Sequence, residues 1–117
     1  MLHASEVPVF ITGSLPQLKA EFTLKQQVYD SMQVLTDYTR HMAVTHNFKE
    51  VKKCVLLVEK IYKHGDALVR NSVENIFIFS FSSTRLMCNI VEWRIIQSFM
   101  STDLYNLYIQ QVVRSKN

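Results

Sequence analysis

Histidine and cysteine side chains are the groups in this sequence that could bind a metal ion or act as nucleophiles. His41, His46 and His64 flank Cys54, but no two of these four residues have the i,i+4 spacing that places two ligands on one helix face. Cys54 and Cys88 lie in apolar stretches with no adjacent histidine and no CxxC partner, surroundings that raise the pKa of a thiol. We therefore expect no metal site, no cofactor and no nucleophilic cysteine.

The acidic residues form no pair suited to proton transfer. Asp30 and Asp37 are two helical turns apart, so they share a helix face without sharing a proton, and Asp37 can pair with Arg40 or His41 instead. The sequence also contains no nucleophile elbow, no phosphate-binding glycine loop and no zinc motif. We expect that the protein is not an enzyme.

A row of lysines and a net charge of +3 suggest nucleic acid as a partner. The arginines that could contact base edges are few and scattered, no aromatic residue is interleaved with the lysines, and Glu50 and Glu59 interrupt the row. Weak nucleic-acid binding is therefore the alternative hypothesis. The candidate basic patch consists of Lys49, Lys52, Lys53, Lys60 and Lys63.

The elements that must position these residues are centred on a predicted helical hairpin, residues 47–81. Asn47 can cap a helix that begins at Phe48, and Gly65 can close it by taking the left-handed conformation. Asp66 can then cap a second helix. The apolar residues of the first helix recur at steps of three and four: Phe48, Val51, Cys54, Val55, Leu57, Val58, Ile61 and Tyr62.

Residues 76–81, IFIFSF, fit two kinds of structure. Their β-branched and aromatic side chains alternate as in a strand. Nothing upstream breaks the second helix before this stretch, so we favour a helix and keep a strand as the alternative.

Glycine and proline indicate the fold class. Pro8, Gly13 and Pro16 lie in the first sixteen residues, and only Gly65 follows them. A β-rich domain needs many more turn residues than this. The 117 residues suffice for one domain, so we predict an all-α, single-domain antiparallel bundle of about five helices. Residues 1–13 are expected to be an irregular N-terminal segment, and residues 14–117 the bundle domain.

Capping residues predict where the first helix lies. Ser14 and Gln17 fit a capping box, which would start this helix near Leu15. Its apolar stripe moves around the helix axis further along the sequence. This shift predicts a kink or break near Thr23.

Serine and threonine clusters mark the later boundaries. Residues 82–84 are expected to turn the chain and cap a fourth helix, and Ser101 or Thr102 to begin a fifth, with Lys116 at its end. The core is expected to contain nine apolar side chains: Val51, Val55, Val58, Ile61, Val73, Ile76, Phe77, Ile90 and Leu107.

The cysteine count, the first residues and the length of the apolar runs indicate in which cellular compartment the protein is expected. Two cysteines are too few for a disulfide scaffold, and the first residues lack the basic and long apolar regions of a signal peptide. No apolar run approaches the length of a membrane span. We expect a cytoplasmic protein that does not bind a membrane.

Part of the sequence resembles a known family. The resemblance rests on two segments, EKIYKHGDALVRNSVENIF and SFMSTDLYNLYIQQVV. Residues 47–113 resemble a family of small bacterial helical domains of unknown function, and the matching residues are Gly65, Asn71, Glu74, Leu104 and Tyr108. The resemblance implies a helical fold and no activity. The hairpin also resembles one tetratricopeptide unit, but a single copy does not predict a repeat array.

The composition of residues 71–100 predicts an interface. This stretch contains four charged and sixteen apolar side chains. If residues 76–81 are helical, their apolar groups lie on all sides of the helix, so some of them must be exposed in a monomer. The candidate interface consists of Phe77, Phe79, Phe81 and Trp93. We expect it to form a homodimer or to bind a protein partner, unless Val7 to Ile11 covers these rings within one chain. The leading hypothesis is a non-enzymatic protein-interaction domain, a small adaptor or an immunity-type inhibitor of a bacterium, whose partner is unknown.

Overall fold

The computed structural model describes residues 1–22 and 27–115. Over these ranges the chain is helical and contains no sheet, which confirms the all-α prediction. The α-helices are α1 (Val7–Ser14), α2 (Val28–Val44), α3 (Phe48–His64), α4 (Ala67–Ser72), α5 (Phe79–Met87), α6 (Ile90–Ser98) and α7 (Thr102–Ser115). Short 3-10 helices cover Ala4–Glu6 and Pro16–Glu21, and a π-helical segment covers Val73–Ile78. The described ranges thus hold seven α-helices where about five were predicted.

The N-terminal segment folds into a helix that packs on the bundle. Pro8 lies in the first turn of α1, where a missing N–H removes no helical hydrogen bond. Val7, Ile11 and Leu15 recur every four residues and are fully buried, and α1 packs against α2 and α3. The prediction of an irregular segment over residues 1–13 is therefore wrong, because this short apolar row is helical and finds a place in the core.

The first predicted helix is divided in the structure. Ser14 ends α1, and a 3-10 helix over Pro16–Glu21 follows without a side-chain cap. The predicted capping box does not form, and the Gln17 amide instead donates to the Tyr38 hydroxyl at 2.8 Å. The kink or break predicted near Thr23 lies outside the described residues.

Helices α3 and α4 form the predicted hairpin, but its glycine has a different role. Asn47 and Asp66 cap the two helices by accepting from backbone N–H groups three residues on, at 3.3 and 3.0 Å. Gly65 has φ −76°, so it is not left-handed as predicted. A Cβ at Gly65 would lie only 2.7 Å from the Ile61 carbonyl oxygen. Close packing, rather than backbone conformation, therefore requires glycine here.

The stretch from residue 76 to residue 81 is helical, as favoured over a strand. It belongs to a continuous helix, because α4, the π-helical segment and α5 follow one another without a break from Ala67 to Met87. A π-helical turn inside an α-helix is uncommon and is often found near functional sites. The long helix packs against α2 through its π-helical segment.

The turn predicted at residues 82–84 does not form, since these residues lie within α5. The Ser80 hydroxyl donates to the Phe77 carbonyl at 2.6 Å, and the Thr84 hydroxyl donates to the Ser80 carbonyl at 3.2 Å. Hydroxyls that bond back to carbonyls of the preceding turn can be accommodated inside a helix. The chain leaves the helix only after Met87.

Helices α6 and α7 cover the aromatic part of the core. The ring of Phe81 meets the rings of Phe77, Trp93 and Tyr108 in edge-to-face geometry, with centroids 5.1, 6.1 and 6.1 Å apart. Helix α7 begins at Thr102, as predicted. Its predicted final cation, Lys116, lies outside the described residues.

Most of the predicted core is buried: Val51, Val55, Val58, Ile61, Val73 and Phe77. Ile76 and Leu107 are half-buried and pack against this core. Ile90 is 58% exposed, so its assignment to the core is wrong. It occupies the first position of α6, whose buried residues are Trp93 and Ile96. Among the described residues, every helix is too short or too polar to cross a membrane.

Candidate functional site

An exposed apolar surface lies where α5 ends and α6 begins. Cys88 is extended, with φ −116° and ψ 150°, and Asn89 caps α6 by accepting from the Glu92 N–H at 2.8 Å. Four apolar side chains on the two sides of this connection face the solvent. We call them the corner surface: Leu86 (87% exposed), Met87 (47%), Ile90 (58%) and Val91 (62%).

The charges that flank the corner surface are basic. Arg85 and Arg94 are both exposed. The carboxylate of Glu92 accepts from the Asn89 N–H at 2.9 Å through one oxygen and pairs with the His46 ring through the other. The only acidic residue between Arg85 and Arg94 is thus already engaged within the chain.

The aromatic rings predicted to form an interface are mostly internal. Phe77, Phe81 and Trp93 are each at most 4% exposed and form part of the core. The prediction that they contribute to an interface is wrong for these three, because their rings pack with one another and with Tyr108 of α7 in the core. Phe79 is 70% exposed and is the one residue of the candidate set that faces solvent. The Val7–Ile11 segment packs instead against α2 and α3.

The five lysines of the candidate basic patch are all exposed on α3. At about 100° per residue they fall within one stripe about 100° wide, which also holds Leu56 and has Glu59 just outside its edge. Glu50 and Glu59 do not interrupt this stripe, contrary to the prediction. Glu59 accepts from the Ser101 N–H, and one oxygen of Glu50 is buried. We call this stripe the lysine row.

Neither cysteine is placed to act as a nucleophile. Burial is the main reason why the pKa of Cys54 rises to about 11. Burial, followed by the charge of Glu92, raises the pKa of Cys88. Both thiols are therefore protonated at neutral pH, as their apolar stretches predicted.

The histidines are distributed over separate parts of the molecule. The His46 ring lies beside Glu92, whereas His41 and His64 are in the last turns of α2 and α3. In the part of the chain that the structure describes, no group of three or more His, Cys, Asp or Glu side chains could hold a metal ion.

One cleft of about 530 Å³ lies between α3, α4 and the start of α7. Its polar groups support the fold: Arg70 donates to the Tyr62 carbonyl at 3.2 Å and covers the Tyr62 ring at 5.5 Å. Burial, followed by the charge of Glu74, raises the pKa of Tyr62, so this phenol stays protonated at neutral pH. The Tyr62 phenol is therefore not an activated group in this cleft.

A second cleft, of about 550 Å³, lies between α2 and the long helix, beside Phe79. Arg40 donates to the Ser83 hydroxyl there at 3.2 Å, and Asn75 donates to the Tyr29 hydroxyl at 3.1 Å. Its lining mixes apolar and polar groups without any cluster of titratable side chains among the described residues.

The corner surface was not predicted from the sequence, because a fourth helix was expected to begin at residues 82–84 and Ile90 was assigned to its buried face. The signal that could have revealed it is the capping box of Asn89 and Glu92, which places the start of α6 at Ile90. With that start, Trp93 and Ile96 are the buried face and Ile90 and Val91 are left outside.

Comparison with known proteins places the chain in a family. None of the curated proteins and none of the solved structures compared with it matches. A family model described as "Domain of unknown function (DUF7674)" matches residues 10–114. The match confirms the resemblance to a family of small helical domains of unknown function, and it includes α2, which lies outside the resembling residues 47–113. The chain belongs to the DUF7674 family, whose members are domains of unknown function.

Proposed function

We propose that this chain is a non-enzymatic protein-interaction domain that binds a protein partner through the corner surface. The observation that carries the proposal is the exposure of Leu86, Met87, Ile90 and Val91, which lie within six consecutive residues. Single exposed apolar residues are ordinary, whereas a contiguous apolar group is typical of an interface. Covering such surface is favourable by about 25 cal/mol per Å² before the entropic cost of association is subtracted.

Charge favours a different protein over a second copy of this chain. A two-fold dimer brings the same surface of both copies together, so Arg85 and Arg94 of one copy would lie close to those of the other. A partner with apolar side chains flanked by carboxylates avoids this repulsion and pairs with both arginines. A small adaptor or an immunity-type inhibitor would use such a surface, because both act by covering part of another protein.

The experiment compares proteins retained from an extract of the native host by the immobilised chain. The double variant Leu86→Glu with Ile90→Glu places two carboxylates in the corner surface and should abolish retention. Val9→Glu is the matched control, because Val9 is an apolar residue that is 74% exposed on α1, which packs against α2 and α3. Circular dichroism checks that the variants are folded.

The outcomes of this experiment are distinct. A protein that is retained by the wild type and by Val9→Glu, and lost with the double variant, supports the proposal. Equal retention by all three chains, or a retained species that is the chain itself, contradicts binding of a different protein through the corner surface.

Nucleic-acid binding is the second candidate function. It is favoured by the lysine row, which carries five exposed cations and no interrupting carboxylate. If phosphates bind there, affinity for a DNA duplex should fall steeply between about 50 and 200 mM salt. Docking of an apolar surface should change much less over this range.

A further inference from the structure

Helices α3 and α6 lie side by side and point in the same direction. His46, just before α3, pairs with Glu92 in the first turn of α6. Glu59, in the second half of α3, accepts from the N–H of Ser101, which follows α6. These two contacts hold α6 alongside α3, in agreement with the packing of the two helices.

The outer face of this helix pair is cationic. The acidic residues of α3 and α6 along this seam, Glu59 and Glu92, are engaged by groups within the chain. One exposed carboxylate, Asp103, lines the cleft beside Lys63 at the far end of α3. The lysine row lies next to the seam, because Lys52 and Lys63 are within about 40° of Glu59 on the α3 helix. Among the described residues, no ion pair involves a lysine of this row.

Apolar side chains accompany these cations. Leu56, in the middle of the lysine row, is 42% exposed. On α6, Val91 and Ile95 are 62% and 37% exposed and lie one turn apart on the side of Glu92 that points away from the core. Because Glu92 faces α3, Ile95, about 60° from Glu92 around α6, lies on the side nearer the lysine row, and Val91, about 100° from Glu92, lies further toward solvent. Val91 also belongs to the corner surface, so the two surfaces are continuous.

We propose that the protein partner binds along α3 and α6 as an acidic amphipathic helix. This inference rests on the proposed function and specifies the chemistry of its partner. Apolar residues of the partner helix would cover Leu56, Val91 and Ile95, and its carboxylates would face the lysine row. The row rises about 21 Å from Lys49 to Lys63, which corresponds to about four turns of a partner helix.

The apolar residues distinguish a protein helix from a nucleic acid. A phosphate backbone would pair with the lysines but would offer no aliphatic group to Leu56, Val91 and Ile95. The lysine row also has no aromatic side chain on which bases could stack. An acidic amphipathic helix satisfies both the charge and the apolar area of this face.

The test uses three fluorescent probes and measures their anisotropy with the full chain. The first is a synthetic helix of about 16 residues with leucine on one face and glutamate on the other, long enough to span the lysine row. The second replaces each glutamate with lysine. The third is a DNA duplex of about 20 base pairs. The acidic peptide should bind most tightly.

Variants of the lysine row test where the acidic peptide binds. Lys52→Glu with Lys63→Glu should weaken its binding by about tenfold or more, because two attractive pairs become repulsive. Lys52→Gln with Lys63→Gln should cause a smaller loss. Lys19→Glu is the matched control, since Lys19 is exposed in the 3-10 helix that follows α1. Circular dichroism again checks folding.

The results that overturn this inference differ from those that overturn the proposed function. Weaker binding of the acidic peptide than of the basic peptide or the duplex, or affinity unchanged by the Lys52 and Lys63 variants, overturns the inference. The same lysine variants are also tested with the host extract. Retention that is lost with Leu86→Glu and Ile90→Glu, but kept with both lysine variants, leaves the proposed function standing and contradicts the acidic helix.

Discussion

Gly65 shows how one missing atom allows two helices to meet. A Cβ there would lie 2.7 Å from the carbonyl oxygen of Ile61 and would collide with the side chain of Val69. Leu2 occupies the other side, where its carbonyl accepts from the Asp66 N–H at 3.0 Å. The α3–α4 connection is therefore packed from both sides and has no space for a larger residue.

We predict that Gly65→Ala destabilises the protein by about 1–3 kcal/mol, because overpacking forces the neighbouring backbone or Val69 to move. Urea unfolding measures this change as a lower midpoint. Gly13→Ala is the matched control: nothing lies within 4 Å of a Cβ at Gly13, and alanine within α1 should be neutral or stabilising by up to about 1 kcal/mol. Equal midpoints for the two variants would mean that Gly65 is not tightly packed.

At the scale of elements, the boundary between α5 and α6 is the feature that decides what is exposed. The long helix continues through Ser83 and ends after Met87, and Asn89 then begins α6. Had the helix ended at residues 82–84, as the cluster of hydroxyl residues predicted, Leu86 and Ile90 would belong to one buried helix face. The structure places them on two helices with their side chains in solvent.

Proline substitutions locate this boundary. Ser83→Pro should cost about 3 kcal/mol or more, because proline inside α5 removes a hydrogen bond and clashes with the preceding turn. Ile90→Pro should be nearly neutral for stability, since Ile90 is the first residue of α6 and Asn89 is extended, with ψ 172°. Thermal unfolding of both variants gives the comparison. Tolerance at Ser83 together with unfolding at Ile90 would place the boundary at residues 82–84.

The strongly periodic helices were predictable from the sequence, and the boundaries were not. In α3 the apolar spacing and the cap at Asn47 agree, so both its start and its buried face were predicted. At residues 82–84 local hydroxyl chemistry suits either a cap or a helix interior, and the structure has a helix interior, with Phe81 and Thr84 buried in α5. The exposed corner surface depends on that boundary, which explains why it was not predicted.

The spacing of charged residues along α3 did not predict where the carboxylates of its two glutamates point. Glu50 and Glu59 border the lysines in sequence, yet their carboxylates turn toward neighbouring parts of the chain. Ser101, the partner of Glu59, is 42 residues away in sequence. A contact of this kind follows from the assembled fold, so the continuous lysine row emerged only in the structure.

At the scale of the whole molecule, three of the candidate interface rings are buried, so any self-association must use a different surface. Phe77, Phe81 and Trp93 cannot contact a second copy without unfolding the core. A homodimer, which the sequence analysis gave as an alternative to a protein partner, would thus have to form on the corner surface, or around Phe79. In a two-fold dimer through the corner surface, Arg85 and Arg94 of both copies would approach one another, while the Glu92 carboxylate is held by Asn89 and His46 of its own chain.

We therefore predict that the free chain is a monomer, with the mass of one chain, 13.7 kDa, in sedimentation equilibrium at tens of micromolar. Charge repulsion between the arginines opposes association, and physiological salt screens it only partly over short distances. Leu86→Glu with Ile90→Glu should leave the mass unchanged, as should Val9→Glu. A concentration-dependent species of twice this mass that is lost with the double variant, but kept with Val9→Glu, would show that the corner surface binds a second copy.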